Sequence, residues 1–488
     1  TVRNGSVIAG NNITANAGTI SNNGSTLTAR NNASINSQNT LDNLNAGLLN
    51  AGGSLNLSVL GDINNVGSTI SGKTLKLDSV SGSINNLTQA KEWQISGRGE
   101  GHQTLSFTDT QEGPTASITA QDTLSMQTGK DINVTGAKVS AGGDLSMAAQ
   151  GNITVAGNTL TDSFQQSGAW NKADSSDKKT TYHGSAITSG GNLQVQAGQD
   201  IAITGSALNA GQSASVQAGH DINLNAVQTQ TSQQQGGASS SATDHTRTTL
   251  TSGTDLSLSA GRDIHSQAAG LVAGQDATLT AGRDVTLDAV ANTSNTAYHA
   301  KRTQSETESV RQQGTEIASG GNTAITAGHD ITAKAAQTEA KGDITLKAGH
   351  DITLDTATES DYRFYEKTKV KSGFLSKTTT HTVEQDFATH EKGSLLSGDN
   401  VKLQAGHDLT VQGSSVVGDH DVTASAGNRV DITAATEEQS SYRLKEKKKS
   451  GVFSGGGLGF TVGSTSSRHQ ISEDGTTQSQ SVSTIGST

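Results

Sequence analysis

Short runs in which apolar and polar residues alternate fill most of the chain. Leu193 and Val195, like Ile352 and Leu354, belong to runs of about five residues that Gly, Asn and Asp bound. Alternation with a period of two predicts a β-strand that buries one face. No long stretch has a period of 3.6 residues, so the pattern predicts no helix.

Glycine-containing boxes of the form AGxD recur in pairs. Their glycines lie 21 residues apart, at Gly198 and Gly219, Gly261 and Gly282, Gly328 and Gly349, and Gly406 and Gly427. Intermediate glycines divide the interval into steps of about 8 and 13 residues. A strand–turn–strand–turn unit that closes every 21 residues predicts an all-β fold, a parallel β-helix whose coils stack about 4.8 Å apart. The general crossover preference favours the right-handed form.

The regularity of these coils varies along the chain. We expect irregular, Asn-rich coils, then a break, then paired AGxD coils with polar insertions, which we take to be β-hairpins, and a Lys- and Gly-rich hairpin extension. The irregular coils are 1–88 and the break is 89–114. The paired coils are 115–436, with insertions near 158–184, 228–249, 292–315 and 358–392, and the hairpin extension is 437–488. All the aromatic residues lie in the insertions, the break or the extension. The insertions are therefore the candidate functional parts, and the coils are the scaffold.

Composition supports an elongated solenoid. Aromatic residues make up only 3 % of the chain, there are 57 glycines and one proline, and cysteine is absent. The net charge of -11 gives no sign of general nucleic-acid binding. The chain has no apolar run of about 18 residues that would predict a membrane-spanning helix. Its first residues do not resemble a signal peptide, so we expect a mature protein or an internal segment of a longer one.

The His and Asp of the AGxD boxes are candidate metal ligands. His329 and His350 are one coil apart, as are Asp330 and Asp351, so the four side chains should lie close together. Other boxes, however, carry Gln or Arg in place of the His, as at Arg262. Because such a position is not selected for coordination, we interpret the box as a turn and expect neither a metal site nor a cofactor. A calcium-binding β-roll, which repeats every nine residues, is excluded.

An enzyme that cleaves acidic polysaccharides is the alternative from another class of function. Its best candidate cluster is Asp419, His420 and Asp421, at a turn without a nearby Arg or Lys. We interpret the cluster as a polar turn. The expected protein is therefore not an enzyme, and it has no catalytic residues and no small-molecule substrate.

Two insertions share a layout of Tyr-Arg, alternating charges, Lys-Ser-Gly and an apolar pair. In the second, apolar residues alternate with small ones, which suits a soluble hairpin packed on the solenoid or a membrane-embedded strand. Of the two interpretations, we favour the soluble hairpin. The Lys run 447–449 is a candidate for contact with anionic headgroups. The residues predicted to contact a membrane or a partner are Tyr362, Phe364, Tyr365, Phe374, Leu375, Tyr442, Lys447, Lys448, Lys449, Phe453, Leu458, Phe460 and Val462.

The paired AGxDI coils followed by KKKSGVFSGGGLGFTVGS at 447–464 resemble the haemagglutinin-repeat region of filamentous haemagglutinins and of contact-dependent growth inhibition toxins. The resemblance covers 115–464 closely, and 1–88 as degenerate coils. Only 437–464 carries the full motif, and 358–392 is a partial copy. The similarity implies the second repeat region of an exoprotein that an outer-membrane transporter of the two-partner type secretes to the surface of a Gram-negative cell.

The resemblance also implies a function. We expect a non-enzymatic rod that mediates cell–cell contact and delivery of a C-terminal toxin across the outer membrane of a target cell, whose membrane or surface receptor is the partner. A soluble adhesin for glycans or proteins is the first alternative, and a β-helical polysaccharide lyase or hydrolase is the second.

Overall fold

Successive coils of the chain stack on one another as parallel strands. In a computed structural model, which describes residues 1–99, 102–168, 173–455, 459–473 and 477–487, Ile331 pairs with Ile352 one coil later. The described residues form no α-helix. These observations confirm the predicted all-β parallel β-helix; its right-handed sense stays a prediction.

The solenoid has three faces, each a ladder of parallel strands. The first face contains Val7–Gly10, Thr26–Ala29, Ser117–Ala120, Lys138–Ala141, Ala186–Ser189, Ala207–Ala210, Thr249–Ser252, Gly270–Ala273, Glu316–Ser319, Gln337–Ala340, Leu395–Gly398, Ser415–Gly418 and Thr484–Ser487. The second face contains Ile13–Ala17, Ala33–Ser37, Leu124–Thr128, Leu145–Ala149, Leu193–Ala197, Ala214–Ala218, Leu256–Ala260, Ala277–Ala281, Thr323–Ala327, Ile344–Ala348, Val401–Ala405 and Val422–Ala426. Two long strands continue from the first face into the second, Leu48–Val59 and Thr69–Ser79. The third face contains Val2–Arg3, Ile20–Asn23, Leu41–Leu44, Ile63–Val66, Ile84–Leu87, Ile132–Thr135, Ile153–Ala156, Ile201–Thr204, Ile222–Asn225, Ile264–Gln267, Val285–Asp288, Ile331–Lys334, Ile352–Asp355, Asp408–Gln412 and Arg429–Thr433.

Each coil therefore has three strands, and the two-strand unit expected from the glycine spacing is wrong. The 13-residue step contains a third corner, between the third face and the first. Its backbone turns at one residue in the left-handed region, such as Gly205 (φ 50°), Ala268 (φ 54°) or Ala335 (φ 50°). Alanine is an uncommon residue in that region, so the sequence pattern did not reveal the corner.

The core is a column of small aliphatic side chains that point inward from all three faces. Ile264, Val285, Ile331 and Ile352 are fully buried in one such ladder on the third face. In the first coils a buried asparagine ladder occupies the neighbouring inward position. Its amides are joined by hydrogen bonds of 2.8 Å along Asn22, Asn43, Asn65 and Asn86. Later coils place aliphatic residues there, except for Ser266, so this inward ladder changes from polar to mainly apolar along the rod.

The AGxD glycines stack directly on one another at the corner between the second and third faces. A Cβ at Gly349 would collide with the carbonyl oxygen of Gly328, and one at Gly282 would collide with that of Gly261. Close backbone stacking, rather than unusual dihedral angles, therefore requires glycine at this corner.

In the described part of the chain, six hairpins leave the solenoid at the third corner of every second coil. They are Ala90–Arg98 with Thr104–Glu112, Asn158–Ser167 with Ser175–His183, Val227–Gln235 with Ala238–Thr246, Val290–Ala300 with Thr303–Gln313, Ala357–Ser372 with Ser376–Lys392, and Gln439–Gly455 with Gly459–Glu473. They pair side by side into one antiparallel sheet of twelve strands, the hairpin sheet. Two coils rise about 9.6 Å, which is also the width of two neighbouring strands. This match explains why the coils come in pairs.

Two regional details follow from this arrangement. The break at 89–114 contains the first hairpin of the series. A short antiparallel pair brackets the sixth hairpin in sequence, with Ala435–Glu437 before it and Ser479–Ser481 after it, and strand Thr484–Ser487 then rejoins the first face of the solenoid.

Candidate functional site: the hairpin sheet

The hairpin sheet is a single layer that projects from the rod. Among its described side chains, only Ala357 (3 % exposed) and Leu444 (9 %) are buried. Its strands contact one another, and with so few buried side chains the sheet does not lie flat on the solenoid. The predicted packing of the hairpins on the solenoid is therefore wrong, and both faces of the sheet are available for contact.

The hairpins are held at their bases. The Tyr182 hydroxyl donates to the carbonyl of Thr204 at 3.1 Å and accepts the backbone N–H of Gly157 at 2.5 Å. Burial raises the pKa of this hydroxyl, although the Gly157 hydrogen bond opposes the shift. The Tyr182 hydroxyl thus ties the second hairpin to the solenoid.

One face of the fifth and sixth hairpins is aromatic and aliphatic. Residues directly opposite in an antiparallel pair share a face, and register places Phe387 opposite Tyr362. Applied along the strands, register defines the aromatic face as Tyr362, Phe364, Val383, Phe387, Tyr442 and Leu444. Burial is the main cause that raises the pKa of the Tyr362 hydroxyl, and the nearby carboxylates of Glu306 and Glu308 raise it further.

Charges on the outer part of this face are paired. His381 bonds to Glu366 through Nε2 at 2.7 Å and lies 3.8 Å from Glu446 through Nδ1. Arg468 Nε is 3.2 Å from the other oxygen of Glu446. These contacts pair both carboxylates of the outer part of this face with basic groups.

The opposite face of the same hairpins carries a regular array of lysines, which we call the lysine face. Three rows each contain two lysines, from the first strand of the fifth and of the sixth hairpin, with one threonine between them. The rows are Lys367, Thr382 and Lys445; Lys369, Thr380 and Lys447; and Lys371, Thr378 and Lys449. Nearer the rod, carboxylates return to this face, where Asp386 binds Arg443 at 2.7 and 2.9 Å.

The structure separates the contact residues predicted from sequence into three groups. Those on the aromatic side are Tyr362, Phe364, Tyr442, Lys448 and Val462, and those on the lysine side are Tyr365, Lys447 and Lys449. Phe374 and Leu375 lie at the turn of the fifth hairpin. Leu458 lies outside the described residues, as do the side chains of Phe453 and Phe460. The triple-lysine run is thus divided between two faces, because adjacent strand residues point in opposite directions.

The aspartates of the AGxD boxes form a structural ladder. Asp330 Oδ1 accepts the backbone N–H of Asp351 at 2.9 Å, and Asp351 Oδ1 accepts that of Asp408 at 2.9 Å. The residue before each aspartate contacts the carboxylate of the preceding coil, as Arg262 does with Asp221 at 2.5 Å. The variable position therefore supplies a partner that compensates the stacked carboxylates.

Three successive coils place histidines at this position, and the rings of these histidines stack in parallel. The ring centroids of His329, His350 and His407 are 4.7 and 4.8 Å apart. With the aspartates they form two overlapping groups, one of His329, Asp330 and His350 and one of His350, Asp351 and His407. Within each group possible ligand atoms lie within 4.8 Å of one another, so either group could hold a metal ion. Arg262, however, makes the equivalent carboxylate contact elsewhere, so the pattern is explained without a metal.

The polysaccharide-cleaving candidate is an exposed corner. His420 bonds through Nδ1 to Asp399 of the preceding coil, which raises the pKa of the imidazole. The Asp421 backbone N–H donates to Asn400 at 3.3 Å. These contacts repeat the ladder pattern of other corners.

A second carboxylate pair, not singled out in the sequence, lies in the hairpin sheet. Asp109 and Asp162 are directly opposite each other, beside Phe107 and Phe164, whose rings are 4.9 Å apart. A hydrogen bond with Asp109, followed by burial, raises the pKa of Asp162. Only strand register brings these residues together, so sequence spacing alone could not reveal the pair.

Within the described residues, no helix is both long and apolar enough to cross a membrane. No solved structure gave a significant match to the chain. Two family models match the chain. One, described as a hemagglutinin repeat, matches residues 78–171, 166–243, 231–303, 296–382 and 375–488, and the other, described as a haemagglutinin repeat, matches residues 1–45.

Three similar relatives illustrate the match. They are the 16S rRNA endonuclease CdiA of Enterobacter cloacae (49 % identical over 488 residues), the tRNA nuclease CdiA of Escherichia coli O6:K15:H31 (50 % over 489) and the deoxyribonuclease CdiA of Dickeya dadantii (40 % over 487). The matches cover 99–100 % of this chain and 13–15 % of those relatives. The chain therefore belongs to the haemagglutinin-repeat family, in the form that CdiA proteins carry.

Proposed function

We propose that this chain is a non-enzymatic rod segment of a secreted exoprotein, which mediates cell–cell contact and the delivery of a C-terminal toxin across the outer membrane of a target cell. One observation carries the proposal. Relatives named for three different nuclease activities match this chain over nearly its full length. A segment common to proteins with different activities is expected to serve a step that they share, and delivery is such a step.

The fold supports a mechanical role. Coils that add about 4.8 Å each make a rod whose length is set by coil number. The hairpin sheet adds a continuous exposed surface along one corner of that rod. The rod would hold this surface at a distance from the secreting cell, where it meets the neighbouring cell.

The partners and location belong to the same proposal. An outer-membrane transporter of the two-partner secretion type would export the protein to the surface of a Gram-negative cell, and the target-cell outer membrane or a surface receptor would bind it. The exposed tip of the fifth hairpin and the two faces of the hairpin sheet are the surfaces offered for that contact.

Co-culture tests the proposal. In the Enterobacter cloacae relative, the matching segment is replaced by this chain in one strain and deleted in a second, and growth of susceptible target cells is followed. We expect inhibition with the replacement and its loss with the deletion, while export and nuclease activity of the purified proteins stay equal. Inhibition by the deletion strain would contradict the proposal.

A surface test separates delivery from simple adhesion. A third strain carries Gly/Ser loops in place of 358–392 and 442–464. We expect it to attach to target cells but to fail to inhibit them. Loss of attachment with this strain would favour the adhesin alternative, and release of reducing ends or unsaturated sugars from acidic glycans by the purified chain would favour the polysaccharide-cleaving alternative.

A further inference from the structure

The last two hairpins extend beyond the other four. Their strands have 16, 17, 17 and 15 residues, whereas those of the first four hairpins have 9 to 11. The fourth hairpin ends where Thr303 lies opposite Lys367. The outer lysine rows are therefore on a part of the sheet that no earlier hairpin flanks.

The positive charge of this projecting part is concentrated on one side. The three rows of the lysine face contain six lysines and, within those rows, no Asp or Glu. Among the described residues, no ion pair involves Lys367, Lys369, Lys371, Lys445 or Lys447. The aromatic side of the same strands has fewer lysines, Lys377 and Lys448, and it also carries the carboxylates of Glu366 and Glu446. The asymmetry is notable in a chain whose net charge is -11.

The array is flat and regular. Lysines two residues apart on one strand are about 6.7 Å apart, and those on the two lysine strands are about 9.6 Å apart, because one threonine strand separates them. A planar lattice of cations complements a planar lattice of anions better than it complements a single small ligand. The threonine hydroxyls between the lysines add hydrogen-bond donors to the same plane.

The free end of the array is apolar. Phe374 is fully exposed and Leu375 is 59 % exposed at the turn of the fifth hairpin. Exposed apolar side chains next to a basic surface are the combination that peripheral membrane proteins use.

We propose that the lysine face binds a lipid surface that bears phosphate groups, and that Phe374 and Leu375 enter its apolar layer. This inference rests on the proposed function and adds to it the chemistry of the contact and the face that makes it. Each lysine near an anionic lipid surface adds attraction that salt weakens. The aromatic face and the solenoid take no part in this contact.

Vesicle flotation with the intact 488-residue chain tests the inference. Vesicles of phosphatidylcholine alone are compared with vesicles that also contain phosphatidylglycerol, at low and high salt. A variant with Lys367→Gln, Lys371→Gln, Lys445→Gln and Lys447→Gln is matched by a control with Lys76→Gln, Lys334→Gln, Lys347→Gln and Lys402→Gln, which removes four exposed solenoid lysines.

We expect the natural chain and the control to bind the anionic vesicles equally, and the lysine-face variant to bind at least about tenfold more weakly. High salt should reduce binding, and Phe374→Ser should reduce what remains. Equal binding by the two lysine variants, or no binding by the natural chain, would overturn the inference; the co-culture result would still decide the proposed function. Tighter binding to a single-stranded oligonucleotide than to vesicles, lost in the lysine-face variant, would overturn the lipid assignment in favour of nucleic acid.

Discussion

The carboxylate of Asp330 accepts the backbone N–H of Asp351, one coil further along the rod, at 2.9 Å. The same bond joins most coils of the regular region, and one link uses an asparagine, because Asn152 Oδ1 accepts the N–H of Asp200 at 3.0 Å. A side-chain oxygen at this corner therefore satisfies a backbone donor that no strand pairing reaches. The AGxD box, whose His and Asp are the residue types of a metal site, instead joins successive coils of the solenoid.

Replacing Asp330 separates the roles of its oxygen and its charge. Asp330→Ala should cost about 1–2 kcal/mol and speed hydrogen exchange at the Asp351 amide, because that partly buried donor loses its acceptor. Asp330→Asn keeps the acceptor and should protect the amide as well as the natural residue does. Equal exchange rates in the Ala and Asn variants would show that the ladder bond is unimportant.

The glycine stack predicts a larger effect. Gly349→Ala should cost about 3 kcal/mol or more, because the new methyl group collides with the Gly328 carbonyl and the two coils must separate. Gly97→Ala, where nothing lies within 4 Å of the added carbon, is the matched control. Thermal unfolding followed by circular dichroism compares them, and equal melting temperatures would refute the requirement for glycine.

The asparagine ladder predicts that one substitution is worse than four. Asn65→Val should cost about 1–3 kcal/mol, because the amide groups of Asn43 and Asn86 each lose a buried partner. Replacing all four ladder asparagines by valine removes donors and acceptors together, and valine is already tolerated at Val134 in the equivalent position of a later coil. Urea unfolding should show the quadruple variant to be the more stable of the two; the reverse order would contradict the prediction.

Ion pairing at the box corner makes stability depend on pH. Hydrogen bonds from Arg262 at 3.0 and 2.5 Å hold the pKa of Asp221 below its ordinary value, and they outweigh its partial burial. A carboxyl with a lowered folded pKa adds stability above its unfolded pKa and loses it as the pH falls through the folded pKa. Arg262→Gln should therefore be less stable than the natural chain at pH 7, and the difference should shrink in acid.

Urea unfolding at several pH values measures this difference. Lys76→Gln, which removes an exposed cation from the solenoid, serves as the control and should give a difference that does not change with pH. A deficit for Arg262→Gln that grows as the pH falls would contradict the assignment.

Sequence reasoning predicted the coils well because their signals are local. Alternation predicts that runs such as that of Ile352 and Leu354 bury one face, and the 21-residue spacing predicts that His329 lies beside His350; the structure confirms both. The third corner was missed because alanine, unlike glycine, does not indicate the left-handed conformation that Ala335 adopts there.

The hairpin sheet was missed for a different reason. Its pairings join segments some 50 residues apart, as between Ser241 and Asn295, and no residue type marks such a pair. The alternation of coils with and without insertions does indicate the sheet. Because two coils rise by the width of one hairpin, hairpins on every second coil lie at the spacing of paired strands. The separation of Lys447 and Lys448 onto different faces follows only once the register is known.

A disulfide across two hairpins tests the continuous hairpin sheet most directly, because the chain has no cysteine of its own. Ser241 in the third hairpin lies directly opposite Asn295 in the fourth, whereas Ser232 lies one strand further away. Under mild oxidation the Ser241→Cys, Asn295→Cys chain should form an intramolecular disulfide, and the Ser232→Cys, Asn295→Cys chain should not, since about 9.6 Å exceeds the reach of the bond. Cross-linking of both chains, or of neither, would show that the hairpins do not form one sheet.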